Sequence, residues 1–126
     1  MHIPDDRRYA ATHEWILRDG DSCIVGISDP AQDQLGDVVY VGDVPVGQAL
    51  QAGQVAGVVE SVKAASDIHA PVAGRVVAFN EALADDPSGL NGDPYTTWIF
   101  RIVPDAIEDI EHLLDAAGYA AVANGS

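Results

Sequence analysis

The stretch Val55-Ala56-Gly57-Val58-Val59-Glu60-Ser61-Val62-Lys63-Ala64-Ala65-Ser66-Asp67-Ile68-His69-Ala70-Pro71 decides how the chain is read. Val55 to Val59 is a β-branched and small-residue run, and Asp67 to Pro71 is a short second run closed by a proline. Two strand-like runs joined by a short polar stretch predict a β-hairpin. Lys63 is the only lysine in 126 residues and falls at or near the tip, where an ammonium stays in water. A solvated lysine amine is almost fully protonated at neutral pH, which makes it a poor nucleophile and a natural substrate for acylation by another enzyme. The residues alone leave two readings open: an acylation site, or one lysine that had to fall somewhere in a chain that otherwise uses arginine.

Outward from the hairpin, turn signals divide the chain into short pieces. Tyr9 to Arg18 alternates loosely around Trp15 and Ile16 and predicts a strand, and Arg18-Asp19-Gly20-Asp21 turns it into a second strand over Ser22 to Ile27. Ser28 or Asp29 can cap a short helix with Pro30 at its start and Gly36 at its end. Asp37 to Val41 predicts a strand, and Gly74 marks the turn into another over Arg75 to Phe79. Glu81 to Asp85 has room for about one helical turn before Pro87, Asp86 to Thr96 is loop by composition, and Thr97 to Val103 is the last strand. Beyond Pro104, Asp105 can cap a helix with Glu108 as the reciprocal acid. Ile107, Ile110, Leu113, Leu114 and Ala117 form a stripe at helical spacing, expected to pack on the body of the fold, with Gly118 just past its end. Many short strands with small helices predict a compact, mainly β structure. One domain over 1–126 is expected, with 1–8 and 120–126 as flexible ends.

Hydrophobic residues make up 48% of the chain and aromatics 6%, so the core is expected to rest on Val, Ile, Leu and Ala packing. No window approaches the roughly 18 consecutive apolar residues of a membrane span. Met1 to Arg8 lacks the apolar centre of a secretory signal, and its acids do not suit a transit peptide, so a cytoplasmic location is the expectation. The single cysteine, Cys23, cannot form an internal disulfide; among Ser22, Ile24 and Val25 it reads as a buried structural thiol. The formal net charge of −14 argues against nucleic acid, whose phosphates it repels. It suits steering toward partners with basic faces, although solubility alone favours the same composition.

The chemistry of an enzyme is hard to find. His2, His13, His69 and His112 are scattered, with no paired spacing and no cysteine cluster to suggest a metal site. No Gly-rich loop links a strand to a helix, and no serine sits in a nucleophile-elbow pattern. Asp5-Asp6 and Asp85-Asp86 read as solvated loop charges. No active site is expected; the chain reads as a carried substrate.

Glu60-Ser61-Val62-Lys63-Ala64-Ala65-Ser66-Asp67 resembles the lipoylation segment of the glycine cleavage system H-protein family. The resemblance continues through His13-Glu14-Trp15, through the run from Gly26 to Val41, through Asn91-Gly92-Asp93-Pro94-Tyr95, and through the run from Leu113 to Tyr119. These matches follow one another in the family's order over roughly residues 9 to 119. The resemblance implies a lipoyl/biotinyl barrel-sandwich hybrid with short helices, a C-terminal helix and the modified lysine on a protruding hairpin. It implies lipoic acid in amide linkage to Lys63, and a non-catalytic carrier. Such a carrier takes the aminomethyl group of glycine from the glycine decarboxylase P protein to the aminomethyltransferase T protein. It then passes electrons to the dihydrolipoyl dehydrogenase L protein. No membrane and no nucleic acid enter that scheme.

Further residues carry over by position. Glu60 and Gly74 resemble positions that the lipoylating enzymes read, although Glu60 can equally solvate the hairpin and Gly74 can equally serve a turn needing positive φ. Thr12, Glu14 and Asp67 resemble the family's cleft for the loaded arm, where carboxylates hold a loaded amine as its ammonium. Gln34 stands where some members carry histidine, and Thr96-Thr97-Trp98 departs from the glycine often found before the tryptophan. Among rivals, a biotin carrier flanks its lysine with methionines, where Val62 and Ala64 stand here. A lipoyl domain of a 2-oxo acid dehydrogenase carries Pro/Ala linkers and an Asp-Lys-Ala centre, both missing here. An H-like lipoyl relay differs only in the complex it serves. A Schiff-base enzyme needs a buried lysine.

Overall fold

The computed structural model describes residues 2–125. Among the described residues nine strands run in chain order: β1 (Arg8–Tyr9), β2 (Glu14–Asp19), β3 (Ser22–Ile27), β4 (Val38–Gly42), β5 (Ala49–Leu50), β6 (Val55–Ser61), β7 (Ala65–His69), β8 (Gly74–Phe79) and β9 (Phe100–Pro104). Four α-helices accompany them: α1 (Asp29–Leu35), α2 (Ala82–Asp85), α3 (Gly89–Gly92) and α4 (Ala116–Gly125). A 3-10 helix covers Ile107–His112. The strands form a six-stranded sheet in the order β1-β2-β3-β9-β8-β5 and a three-stranded sheet in the order β4-β6-β7. Every pairing is antiparallel.

Alternation along the strands creates two cores. On β2, Ile16 points between the sheets, where it joins Val25, Val41, Val59, Ile68, Val76, Phe100 and Ile102. Trp15, on the opposite face, would be solvent-facing in a bare sheet. It is fully buried because Tyr9, Tyr95 and Tyr119 close over it in a second cluster, with its indole N–H donating to Pro94 O at 3.0 Å. Arg7 lies over the Trp15 ring at 4.6 Å and donates to Tyr95 O at 2.8 Å. The aromatic share is small, yet it builds one of the two cores, which composition alone does not suggest.

The α1 signals act as the sequence predicts. Ser28 is the N-cap, its hydroxyl accepts from Ala31 N, Pro30 lies in the first turn, and Gly36 ends the helix at φ +80°. The C-terminal segment departs from expectation. Instead of one helix from Asp105 to Gly118, the 3-10 turn stops at His112 and α4 begins at Ala116. Asp105 does not cap: Ala106 occupies that position without a side-chain hydrogen bond. Two competing interactions explain the break. Leu114 exchanges backbone hydrogen bonds with Tyr9, at 2.8 and 2.9 Å, which holds it extended beside β1. Asp115 caps a fresh helix through Gly118 N at 2.8 Å, so Gly118 lies inside α4 rather than past its end. Ile107, Ile110 and Leu113 still pack on the inter-sheet core and Leu114 on the aromatic cluster, whereas Ala117 is exposed. Within the segments expected as ends, α4 runs on to Gly125 and Pro4 O accepts from the Tyr9 hydroxyl at 2.5 Å; Met1 and Ser126 lie outside the described residues. A second departure is α3, one helical turn within the stretch read as loop.

Gly74 is not a positive-φ glycine. It opens β8, fully covered by β9, and a Cβ there would collide with Val103 O and lie 2.9 Å from Pro104 Cα. A Gly74→Ala variant must push two paired strands apart, so it is expected to lose about 2 kcal/mol, roughly 8 °C in Tm, in thermal unfolding followed by circular dichroism.

Burial pushes the phenols of Tyr9, Tyr95 and Tyr119 above the ordinary tyrosine value. For an acid whose folded form favours the neutral state, the stabilisation is intact below the unfolded pKa of about 10 and is lost as pH rises beyond it. Tyr40 is exposed and is raised chiefly by its hydrogen bond to Asp43. Alkaline titration should therefore show Tyr40 ionising with the far-ultraviolet signal unchanged, and the other phenolates appearing together with loss of structure.

Candidate functional site: the β6–β7 tip and its cleft

The hairpin of β6 and β7 closes through Glu60 opposite Ala65, leaving Val62, Lys63 and Ala64 as the tip. Its backbone is held by Ser61, whose hydroxyl oxygen accepts from Lys63 N at 3.3 Å and Ala64 N at 3.1 Å, while Ser61 N donates to Ala64 O at 2.7 Å. Val62 N donates to Asp37 O at 3.1 Å, tying the tip to the joint between α1 and β4. That joint is itself fixed by Asn91, which accepts from Val38 N and donates to Gly36 O at 2.8 Å. Lys63 is exposed on this fixed loop, with its stem along Gly36. Among the described residues its ammonium has no ion-pair partner.

Beside the tip opens a cleft of about 290 Å³. Ala64 from the tip, Ala31 and Leu35 from α1, and Ile27, Val59, Ala65 and Ile68 from the strands contribute an apolar lining, and α1 adds the amide of Gln34. Thr12, Glu14 and Asp67 all line it, so the three expected arm-contact residues are brought together. Their environments differ. The Asp67 carboxylate is exposed and makes no side-chain hydrogen bond among the described residues, leaving it open to a cation. Glu14 is buried and already engaged: Thr12 Oγ1 donates to Oε1, and Oε2 accepts from His69 N at 3.0 Å and lies 3.3 Å from His69 Nδ1. Glu14 thus staples the start of β2 to the end of β7, across the two sheets, with its charge at the cleft wall.

Gln34, which departs from the family pattern, also lines this cleft. Glu60 is exposed at the end of β6, near the lysine but outside the cleft; Gly74 lies in β8, away from it. His13 lines the cleft too, and its partners Tyr119 and Ser28 carry no local signal of such a role. Cys23 is buried, and burial pushes its thiol up, which leaves it unreactive at neutral pH. No helix in the described residues is long and apolar enough to cross a membrane.

A family model described as glycine cleavage H-protein matches residues 7–125. The glycine cleavage system H protein of Bordetella pertussis is 59% identical over 123 residues, covering 98% of this chain and 99% of the relative. The glycine cleavage system H protein 2 of Pseudomonas aeruginosa is 54% identical over 121 residues, covering 95% and 94%. The crystal structure of a glycine cleavage system H protein from Mycobacterium marinum superposes with a TM-score of 0.86 at 41% identity, covering 98% of this chain and 100% of that one. The two-sheet architecture is accordingly of the lipoyl barrel-sandwich type. This chain belongs to the glycine cleavage H-protein family, the lipoyl carriers of the glycine cleavage system.

Proposed function

We propose that Lys63 is the residue that carries the lipoyl group, in amide linkage to Nζ, and that the chain itself is a non-catalytic carrier. The observation that supports this most directly is the sole lysine, exposed on a backbone-fixed tip beside a cleft. When bound, the group supplies a dithiolane that accepts an aminomethyl unit and two electrons. The residues present suit it: an apolar lining for a hydrocarbon arm, with a free carboxylate at Asp67 and an anchored one at Glu14 for an amine. In an apolar cleft these carboxylates hold that amine as an ammonium and keep water from the carbon it is bonded to.

The partners follow from the family: the P protein loads the arm, the T protein unloads it and the L protein reoxidises it. A fixed tip suits visits to several enzymes, because each docking event then delivers the arm at high effective concentration. Lipoylating enzymes act first. Glu60 is exposed and available to be read by them directly, while Gly74 contributes through the β8–β9 geometry it permits.

The test is intact mass followed by peptide mapping after incubation with lipoate, ATP and a lipoate ligase. One lipoyl addition, on the peptide containing Lys63, is the expected result. An unmodified chain, with a control substrate modified in the same reaction, overturns the proposal.

A further inference from the structure

His13 is the cleft-lining residue with a left-handed backbone, φ +82°, a conformation that non-glycine residues rarely adopt. Its Nδ1 lies 2.7 Å from the Tyr119 hydroxyl, and that hydroxyl lies 2.5 Å from Ser28 Oγ. Ser28 is fully buried, and its Oγ accepts from Ala31 N at 3.3 Å at the head of α1.

Counting donors and acceptors gives this chain of bonds a direction. Ser28 Oγ accepts from Ala31, so its own hydrogen has one acceptor among the described contacts, the Tyr119 oxygen. Tyr119 then donates onward, and its remaining partner is His13 Nδ1. Burial holds the Tyr119 phenol above its ordinary value, which keeps it a neutral donor. A neutral His13 whose Nδ1 accepts must carry its proton on Nε2. Neither ring nitrogen then offers a free lone pair to the cleft.

We propose that Tyr119 is a positioning residue that masks His13, keeping an imidazole base away from the cargo amine. This rests on the reading of Lys63 as the lipoyl acceptor. The danger it averts can be written out. A base removes one proton from the ammonium of an aminomethyl thioether, and the freed nitrogen lone pair forms a C=N bond as the C–S bond breaks. Sulfur leaves as thiolate with the bonding pair; water adds to the iminium carbon, and formaldehyde and ammonia are released. No oxidant or reductant is needed. Imidazole is ordinarily about two pKa units more basic than a carboxylate, so an unmasked histidine threatens the cargo more than the acids do.

The titratable groups around His13 are Tyr119 from α4, Glu14 from β2, and Asp67 from β7, with His69 behind Glu14; α1 adds only uncharged Ala31, Gln34 and Leu35 to the wall. Tyr119→Phe removes the hydroxyl and keeps the ring, which stacks on Tyr9 at 4.6 Å and 9°. Heteronuclear NMR of the His13 imidazole, in protein without a lipoyl group, is the first readout. The wild type should show only the Nε2–H tautomer and the variant a mixture.

The second readout is release of formaldehyde from the aminomethyl-loaded protein. Tyr119→Phe should accelerate it on the order of 10²-fold, the low end of general-base catalysis. Tyr119→Phe combined with His13→Gln should return the wild-type rate. An Nδ1–H tautomer in the wild type overturns the relay. Unchanged release in Tyr119→Phe, or acceleration that persists in the double variant, overturns the masking. Failure to lipoylate Lys63 is separately visible by mass; it removes the cargo and the masking role with it, while the tautomer result still stands.

Discussion

Lys63→Arg should gain no lipoyl group under conditions in which the wild-type chain gains one, and its glycine-dependent exchange with the P protein should fall to background. The substitution keeps the positive charge and most of the stem, so electrostatic docking is preserved. What it removes is the one primary side-chain amine in the chain. A guanidinium remains protonated at any accessible pH and does not accept an acyl group in its place. The fold should not notice. The tip is built by backbone N–H groups bonding to Ser61 Oγ and Asp37 O, none of which involves the lysine side chain. Stability should therefore stay within about 0.5 kcal/mol of wild type. Retained exchange in this variant would place the acceptor elsewhere and sink the carrier role of Lys63. Retained stability with lost exchange would separate the chemistry from the fold in one measurement.

How much could be read from the chain beforehand depends on the range of the interaction that decides each element. The β6–β7 hairpin and α1 were readable because their signals are local. Strand runs flank a three-residue tip, and Ser28 and Gly36 bracket one short helix with Pro30 in its first turn. The residues around Trp15 were harder, since its burial depends on Tyr95 and Tyr119, far along the chain. The break after His112 was hidden for the same reason. A stripe at helical spacing is present, but Leu114 is claimed by Tyr9 across the fold, and pairing with β1 outweighs continuing the turn. Asp115 was readable in principle as a cap. Leu113, Leu114 and Ala117 carry the helical stripe across it, which masks that local signal.

The site divides along the same line. Lys63 stands out as a single residue, and Thr12, Glu14 and Asp67 were placed by family resemblance; the structure gathers them around one cleft. Resemblance did not distinguish the free carboxylate of Asp67 from the anchored one of Glu14, because that difference lies in His69 and Thr12. His13, Tyr119 and Ser28 form their contacts only after α4 folds back, so no spacing in the chain announces them.

Glu14 offers the sharpest separation of fold from function, because two substitutions at one position should part company. Glu14→Ala removes a buried carboxylate and leaves the part-buried His69 N–H without its acceptor, while the hydroxyl of the exposed Thr12 turns to water. Leaving that donor unpaired and emptying the space of the side chain costs about 2 kcal/mol. At this chain length that is roughly 8 °C in Tm. Glu14→Gln keeps the volume. Its amide oxygen can accept from His69 N, and its NH2 can donate to Thr12 Oγ1, since a hydroxyl serves as acceptor as readily as donor. Its loss should stay near 1 kcal/mol. Both variants, however, remove the negative charge from the cleft wall and leave Asp67 as the only carboxylate lining it. Formaldehyde release from the aminomethyl-loaded protein should therefore rise in both, by about tenfold for an ion-pair contribution near 1.4 kcal/mol, while thermal unfolding separates them. If Glu14→Gln unfolds like wild type and holds its cargo like wild type, Glu14 is a staple between β2 and β7 and nothing more, and the sheltering of the amine falls to Asp67.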